Sequence, residues 1–255
     1  MNFSEIYSRE ITQESYKELI NLCKWFNNIV GYYPTIIGGW AAFFYYPGGL
    51  GSRDIDVVFP DRELRERWLY QYAKNHGYYR RGKNGFGLEV EYCKTVITNS
   101  GIDVDILIDT PLASDITRIR NSKYDIRFQY GLALKYQKQM NREDDGENIY
   151  FYIPIPEMLL VFKAKAAFDR KYDSGTKYDP IYVQNKIEKD YYDIISILLH
   201  QQINQVQLRE ILELTNFIPL FYQILYDMRS HPTAMSDHNI TWKTIESKID
   251  AIVKS

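Results

Sequence analysis

Cysteine and histidine are scarce in this 255-residue chain, with 2 of the first and 4 of the second. Cys23 and Cys93 are far apart with no Cys-x-x-Cys pair, which excludes a disulfide framework and a zinc ribbon and fits a reducing cytosol. His76, His200, His231 and His238 are scattered without metal-ligand spacing, and no Ser-His-Asp or Cys-His arrangement can be read. An excess of charge is missing too. The 31 Lys and Arg against 33 Asp and Glu give a formal charge of -2, which excludes a polycation that binds nucleic acid through bulk charge. No apolar run approaches the roughly 18 residues of a membrane helix, and Met1 to Glu10 has no basic-then-apolar signal pattern. The expectation is a soluble, cytoplasmic protein with no membrane partner. No internal repeat or low-complexity tract occurs.

What is present is ordinary globular material, 45% hydrophobic and 25% charged. Single cores tend to split beyond roughly 250 residues, so two domains are expected. The 23 tyrosines are spread along the whole chain and read as core and surface filler rather than as a base-stacking platform.

Ser15 to Val30 carries apolar residues at helical spacing. Tyr32 to Ile37 reads as a strand, Gly38-Gly39 as a tight turn and Trp40 to Tyr46 as a helix. Arg53 to Phe59 alternates with period two, a strand, and Asp61 starts a charged helix to about Asn75. Tyr78 to Arg81, Gly87 to Cys93 and Ile102 to Ile108 read as further strands, and Pro111 to Ile119 as a short helix. Asn141 to Asn148 reads as a polar, acidic loop before a strand at Ile149 to Ile153. From Pro156 on only helices are evident: Pro156 to Tyr172, Tyr182 to Gln201, Gln207 to Thr215, Ile218 to Arg229 and Trp242 to Lys254. The fold class expected is α/β (α+β), a mixed sheet with flanking helices over 1–153 followed by a helical domain over 154–255.

Asp54 and Asp56, two apart on an expected strand, project from one face, and Asp103 and Asp105 repeat the device on another strand. Carboxylates that converge repel one another unless a cation neutralises them, and hard oxygen ligands suit Mg²⁺, which bridges carboxylates to substrate phosphates. Solvated acidic faces on two half-exposed strands are the plain alternative. Gly38-Gly39, between a strand and a helix, offers unsatisfied N–H groups and a helix dipole to a phosphate, although a Gly-Gly alone is equally a tight turn. Farther on, Lys163, Ala166 and Arg170 share one helix face, and Lys163 interrupts an apolar run, so it needs an anionic partner or a path to solvent. Asp190 and Asp193 share a face of the next helix, with Lys186 and Lys189 four residues before each. Arg62, Arg65, Arg67, Arg80, Arg81 and Lys83 form one basic set and Arg118, Arg120, Lys123 and Arg127 another; either could track an RNA backbone or be a solvated face.

Gly38-Gly39, a helix, Ser52-Arg53-Asp54-Ile55-Asp56 and the later Asp105-Ile106-Leu107 resemble the signature of the nucleotidyltransferase superfamily, whose fold DNA polymerase β shares. Lys163, Ala166, Arg170 and Lys189-Asp190 with Asp193 resemble the Lys-x-x-Ala-x-x-x-Arg and Lys-Asp-x-x-Asp runs of its abortive-infection AbiEii-type toxin branch. Trp40, where a small or hydroxylated residue is common, and the glycine-rich loop Pro47 to Gly51 depart from the pattern. The resemblance implies an N-terminal nucleotidyltransferase domain whose active-site cleft the helical domain completes. It implies catalytic Asp54, Asp56, Asp105, Lys163 and Asp193; nucleotide contacts from Gly38, Gly39, Ser52, Arg53, Lys163 and Arg170; and Mg²⁺, as two ions, on Asp54, Asp56 and Asp105. Asp103 shares a face with Asp105 and competes with it as third ligand. The implied reaction moves an NMP from an NTP to an acceptor hydroxyl and releases pyrophosphate, with tRNA as acceptor and an antitoxin protein as partner. A small-molecule or protein hydroxyl is the alternative acceptor. A catalytically silent nucleotide-binding module is a further reading, disfavoured by the intact carboxylates and Lys163, and a two-metal phosphohydrolase is disfavoured by the lack of histidine ligands.

Overall fold

The computed structural model describes residues 7–81, 91–118, 126–172 and 179–253. The chain divides into two compact units. One comprises Met1–Phe43, Leu50–Ile116 and Gln129–Ile155, and the other Phe44–Gly49, Thr117–Phe128 and Pro156–Ser255.

The first unit is built on a seven-stranded mixed sheet in the order β3-β4-β5-β2-β1-β9-β8. Its strands are β1 (Thr35–Ile37), β2 (Ile55–Val58), β3 (Tyr79–Arg81), β4 (Glu91–Ile97), β5 (Asp103–Asp109), β8 (Gln137–Asp144) and β9 (Glu147–Pro154). β2 runs parallel to β5 and β1 parallel to β9, while the remaining neighbours are antiparallel. Sequence alternation decides which face is covered. Along β5, Val104, Ile106 and Ile108 are buried, while Asp103, Asp105, Leu107 and Asp109 occupy the other, more open face. β6 (Ile116–Arg118) and β7 (Arg127–Gln129) form a separate two-stranded sheet.

The opening helix α1 (Arg9–Trp25) buries the stripe Ile11, Leu19, Leu22 and Cys23 and continues as a π-helical turn, Phe26–Val30. Asn27 fixes that turn to the sheet. Its Oδ1 accepts from the Tyr150 amide at 2.7 Å and its Nδ2 donates to the Tyr150 carbonyl at 2.9 Å, satisfying β9 backbone groups beyond the end of β1. Gly31, left-handed at φ 72°, ends the turn. The other helices of this unit are short: α2 (Gly38–Tyr45), which runs on into the second unit, α3 (Tyr70–Asn75), preceded by a π-helical Leu64–Leu69, and α4 (Gly131–Lys135).

Three expectations from sequence are corrected here. Asn141 to Asn148 is not a loop but the tip of the β8–β9 hairpin, turned by Asp145-Gly146 with φ of 52° and 79°. Asp-Gly is the preferred pair where both turn residues need positive φ. Of the helix expected at Pro111 to Ile119, residues 111–118 are not helical and Ile119 is outside the described residues. Leu112 makes a parallel bridge to Phe59, a turn follows, and Ile116 enters β6, because the Phe59 amide donates to the Pro111 carbonyl at 3.1 Å and its carbonyl accepts from the Ala113 amide at 2.8 Å, bonds that a helix would forfeit. Asp54 precedes β2, which begins at Ile55, so of the expected pair only Asp56 belongs to the strand. Of the strand expected at Gly87 to Cys93, residues 87–90 are outside the described residues.

The second unit is helical: α5 (Pro156–Tyr172), α6 (Pro180–His200), α7 (Gln205–Leu214), α8 (Ile218–Asp227), α9 (Pro232–Ser236) and α10 (Trp242–Val253). α6 starts with Pro180 and an Asp179 cap that accepts from the Ile181 amide at 2.8 Å, and Asn204 caps α7 through the Gln207 amide at 3.2 Å. Tyr46 stacks on His200 with ring centroids 4.1 Å apart, and Gln201 donates to the Tyr45 carbonyl at 3.1 Å, which ties the Phe44–Gly49 segment to this unit. Among the described residues no helix is long and apolar enough to cross a membrane.

Candidate functional site

In the first unit the candidate site forms where β1 turns into α2. Ile37 pairs with Asp56, so the residue after it, Gly38, meets the side chain of Asp56 from the neighbouring strand. Gly38 is left-handed at φ 69°, and a β-carbon there would fall 2.0 Å from Asp56 Oδ2. Gly39 is constrained by space alone, because its β-carbon would be 2.8 Å from both Cβ and Oγ of buried Ser52. Each glycine therefore lets the start of α2 close on a polar side chain of the candidate set. The first amides of a helix have no intrahelical acceptor, so this turn directs donors and the positive dipole end toward the same neighbourhood. Trp40 does not face it. Its indole is buried, donates to Ser15 Oγ at 3.2 Å and packs against Gly51, whose φ of 65° and 3.1 Å clearance to the ring also require glycine. The two departures from the family pattern, Trp40 and the glycine of this loop, thus fit each other.

Asp56 is in register with Asp109 on the parallel neighbour β5. In-register residues of adjacent strands point to the same face from backbones roughly 4.8 Å apart. Asp109 in turn opposes Glu91 on β4, so Asp56, Asp109 and Glu91 occupy one row across three strands. Asp105 is on the same face but four residues earlier, roughly 13 Å along the strand. It stands opposite Thr95, whose hydroxyl donates to its Oδ1 at 2.7 Å. Asp103 is farther still, exposed and opposite Ile97. The carboxylate level with Asp56 is Asp109, which the sequence reading overlooked; its signal was the strand alternation carried two positions beyond Leu107. Asp54 occupies the bend before β2, and Arg53 beside it is half-buried. Among the described residues no group of three or more His, Cys, Asp or Glu side chains is assembled so as to hold a metal ion.

The second unit gathers the other candidates into a buried ladder of alternating charge between α5 and α6. Lys163 Nζ is 2.6 Å from Asp193 Oδ2 and 3.4 Å from Asp190 Oδ1. Lys189 reaches Asp193 Oδ1 at 2.5 Å, and Arg170 pairs with Asp190 at the other end. The order is Lys189, Asp193, Lys163, Asp190, Arg170, three cations against two anions. The side chains of Lys163, Lys189, Asp190 and Asp193 are all less than a tenth exposed, whereas Arg170 is 36% exposed. Burial pushes the Lys189 ammonium down to about 8, partly offset by Asp193 and reinforced by the charge of Lys163. Lys165, on another side of α5, pairs with Asp169 at 2.5 Å.

Two members of the first basic set, Arg65 and Arg67, are ion-paired, while Arg62 and Arg80 are exposed. Arg65 is buried against Glu66 at 3.2 Å and Asp115 at 3.6 Å, and Arg67 pairs with Glu63 at 2.9 Å. Of the remaining basic residues, Lys83, Arg120 and Lys123 are outside the described residues.

The sequence matches no protein-family model and no curated protein. Among solved structures it is similar to an antigenic nucleotidyltransferase-like protein from Paracoccidioides brasiliensis, at 14% identity and a TM-score of 0.48, over 84% of this chain and 93% of that one. It is also similar to the Megavirus polyadenylate synthase, at 13% identity and a TM-score of 0.34, over 88% of this chain and 39% of that one. At these identities and scores neither bears on what this chain does.

Proposed function

We propose that this chain is a nucleotidyltransferase whose active carboxylates are Asp54, Asp56 and Asp109. The observation that carries the reading is the closure of the Gly38 turn onto Asp56, with Asp109 in register beside it. That closure fits a site in which a polyanionic phosphate chain rests on helix-start amides while an acidic strand end faces it, and glycine at position 38 permits the close approach without strain. A metal is needed to reconcile those two charges. The donor set, carboxylates without histidine or thiolate, fits Mg²⁺. Asp56 and Asp109, which share a register position, would hold it, joined by Asp54 as the resemblance implies, and the bound ion would supply charge neutralisation to the phosphate oxygens.

The chain's own groups have the following parts. Amides at the start of α2 and the Ser52 hydroxyl orient the NTP phosphates. A carboxylate of the Asp56–Asp109 row accepts the proton of the acceptor hydroxyl as its oxygen bonds to the α-phosphorus. The bond from the α-phosphorus to the bridging oxygen breaks, and pyrophosphate departs with that electron pair. The acceptor we propose is tRNA, with an antitoxin protein as partner, on the strength of the resemblance to the AbiEii-type branch. The nucleotide-binding and catalytic parts which that resemblance gives Lys163, Arg170 and Asp193 are tested separately, by the KM for NTP of Lys163→Met and Arg170→Met.

The test is transfer of α-labelled ATP, CTP, GTP and UTP, one at a time, to total RNA with Mg²⁺, beside an Asp56→Asn, Asp109→Asn double variant. Label on a tRNA band that disappears in the variant is the expected result. Label on a small molecule or on protein would change the acceptor. No transfer to any acceptor, despite NTP binding, would leave a silent nucleotide-binding module.

A further inference from the structure

A hollow in the first unit shares no lining residue with the glycine turn. It has a volume of about 400 Å³ and is lined by Asn21, Lys24, Trp25, Asn28, Ile29 and His76. We infer that this hollow binds a single nucleobase, through stacking on the Trp25 indole and hydrogen bonds from Asn21 and Asn28.

The aromatic part of the lining is fixed before any ligand arrives. Trp25 is half-buried, braced edge-on by Phe26 at 5.2 Å and Tyr72 at 5.7 Å and tilted against Trp68 at 6.4 Å. The π-helical turn that follows it is pinned to β9 by Asn27, so Asn28 and Ile29 are held at the rim, where Ile29 is 57% exposed. A π-turn inserted in a helix is uncommon and recurs at binding sites. His76 stacks on Tyr72 at 4.1 Å with its Nδ1 engaged by the Tyr72 carbonyl at 2.8 Å, which leaves Nε2 for a ligand.

The chemistry of the rim selects the ligand. Lys24 is already paired with Asp144 at 2.7 Å and is 3.8 Å from Glu147, so a phosphate would compete with two carboxylates for it. Asn21 and Asn28 have no hydrogen-bond partner among the described residues, and each amide offers a donor and an acceptor side by side. An indole platform with neutral donor–acceptor amides suits an uncharged heteroaromatic ring that displays the complementary edge, as a base does. The volume is within the range of small-ligand sites and near its lower end, enough for one base and not for a folded partner. That base could belong to a free nucleoside or to an unpaired nucleotide of a strand.

The experiment uses the full chain labelled with ¹⁵N at tryptophan. The indole signals of Trp25, Trp40, Trp68 and Trp242 are followed by NMR, with Trp25→Phe for assignment. Adenosine, cytidine, guanosine and uridine form one arm, and single-stranded RNA hexamers the other. The expected result is a saturable shift of the Trp25 signal with one nucleoside preferred, weakened about tenfold or more in the exposed-residue variants Asn28→Ala and Asn21→Ala. Equal affinity for nucleoside and hexamer would assign a free nucleoside, and tighter hexamer binding a strand. A Trp25 signal unmoved by all ligands, or moved equally in the Asn21→Ala, Asn28→Ala double variant, overturns the inference. The Asp56→Asn, Asp109→Asn protein should bind as well as the parent chain, so this result is independent of the transfer assay.

Discussion

Gly38 and Asp56 are so close that a β-carbon on Gly38 would be 2.0 Å from the carboxylate Oδ2. Gly38→Ala therefore meets two obstacles, a positive φ of 69° and a side chain anchored on β2. Gly31, at φ 72° with nothing within 4 Å of its would-be β-carbon, has only the first. Gly31→Ala should cost about 1 kcal/mol in urea unfolding. Gly38→Ala should cost about 3 kcal/mol or more, or abolish nucleotide transfer by displacing Asp56. Equal losses in the two variants, with transfer intact in both, would mean that Asp56 yields freely and that the contact is incidental.

The register gives Asp109 and Asp105 different fates. Asp109 is level with Asp56, whereas Asp105 is four residues away and bonded to Thr95. Asp109→Asn should lower the transfer rate by about a hundredfold or more and raise the Mg²⁺ concentration needed for half-maximal rate. Asp105→Asn should leave both within about threefold. Measuring the rate against Mg²⁺ for each variant decides between them, and the reverse outcome would restore Asp105.

The contrast between Asp105 and Asp109 shows where sequence reasoning stopped. Alternation identified β5 and its acidic face, because period two needs no partner to be visible. Which acid on that face stands beside Asp56 depends on register between strands separated by more than forty residues, and a parallel register has no local turn to fix it. The Gly38-Gly39 turn was legible for the same reason as β5, from local composition, but its contact with Asp56 was not. The mixed sheet and the helical second half were legible as well, through β-branched runs and 3.6-residue spacing. The π-turn at Phe26–Val30 was not, since its apolar spacing reads as ordinary helix and the contact that accompanies it, Asn27 on Tyr150, is long-range. The hairpin turn at Asp145-Gly146 carried a readable signal that the surrounding acidic residues obscured.

Asp193 is a carboxylate shared by two buried lysines, Lys163 at 2.6 Å and Lys189 at 2.5 Å. Removing it leaves two desolvated cations with one carboxylate, Asp190, within 3.4 Å of Lys163. Breaking a buried pair by deleting one partner costs about 3–5 kcal/mol, so Asp193→Asn should destabilise the chain by at least that much in denaturant unfolding. The comparison is Asp227→Asn, which loses the Lys171 pair at 2.8 Å between side chains 28% and 27% exposed. That pair should be worth less than about 1 kcal/mol. Similar costs for the two would show that water reaches the ladder.

Lys189 makes the same ladder sensitive to pH. Burial depresses its folded-state value to about 8, from an ordinary 10.5. In that interval the unfolded chain binds the Lys189 proton more tightly, so the contribution of Lys189 to stability rises as pH increases from about 8 toward 10. The Cys23 thiol, pushed up by burial, works the other way and cancels between the two proteins compared. Below pH 8 both states hold the proton and the full cost of burying the charge is present, on the order of 3 kcal/mol from the difference in proton affinity. The measurement is the urea unfolding free energy of the parent chain and of Lys189→Met between about pH 7 and 9.5, since titration of the buried tyrosines opposes the trend at higher pH. The difference between the two proteins should move toward the parent chain as pH rises, because only the parent sheds the buried proton. A difference independent of pH would mean that Asp193 and the surrounding ladder hold Lys189 charged throughout, and the excess positive charge would then be permanent.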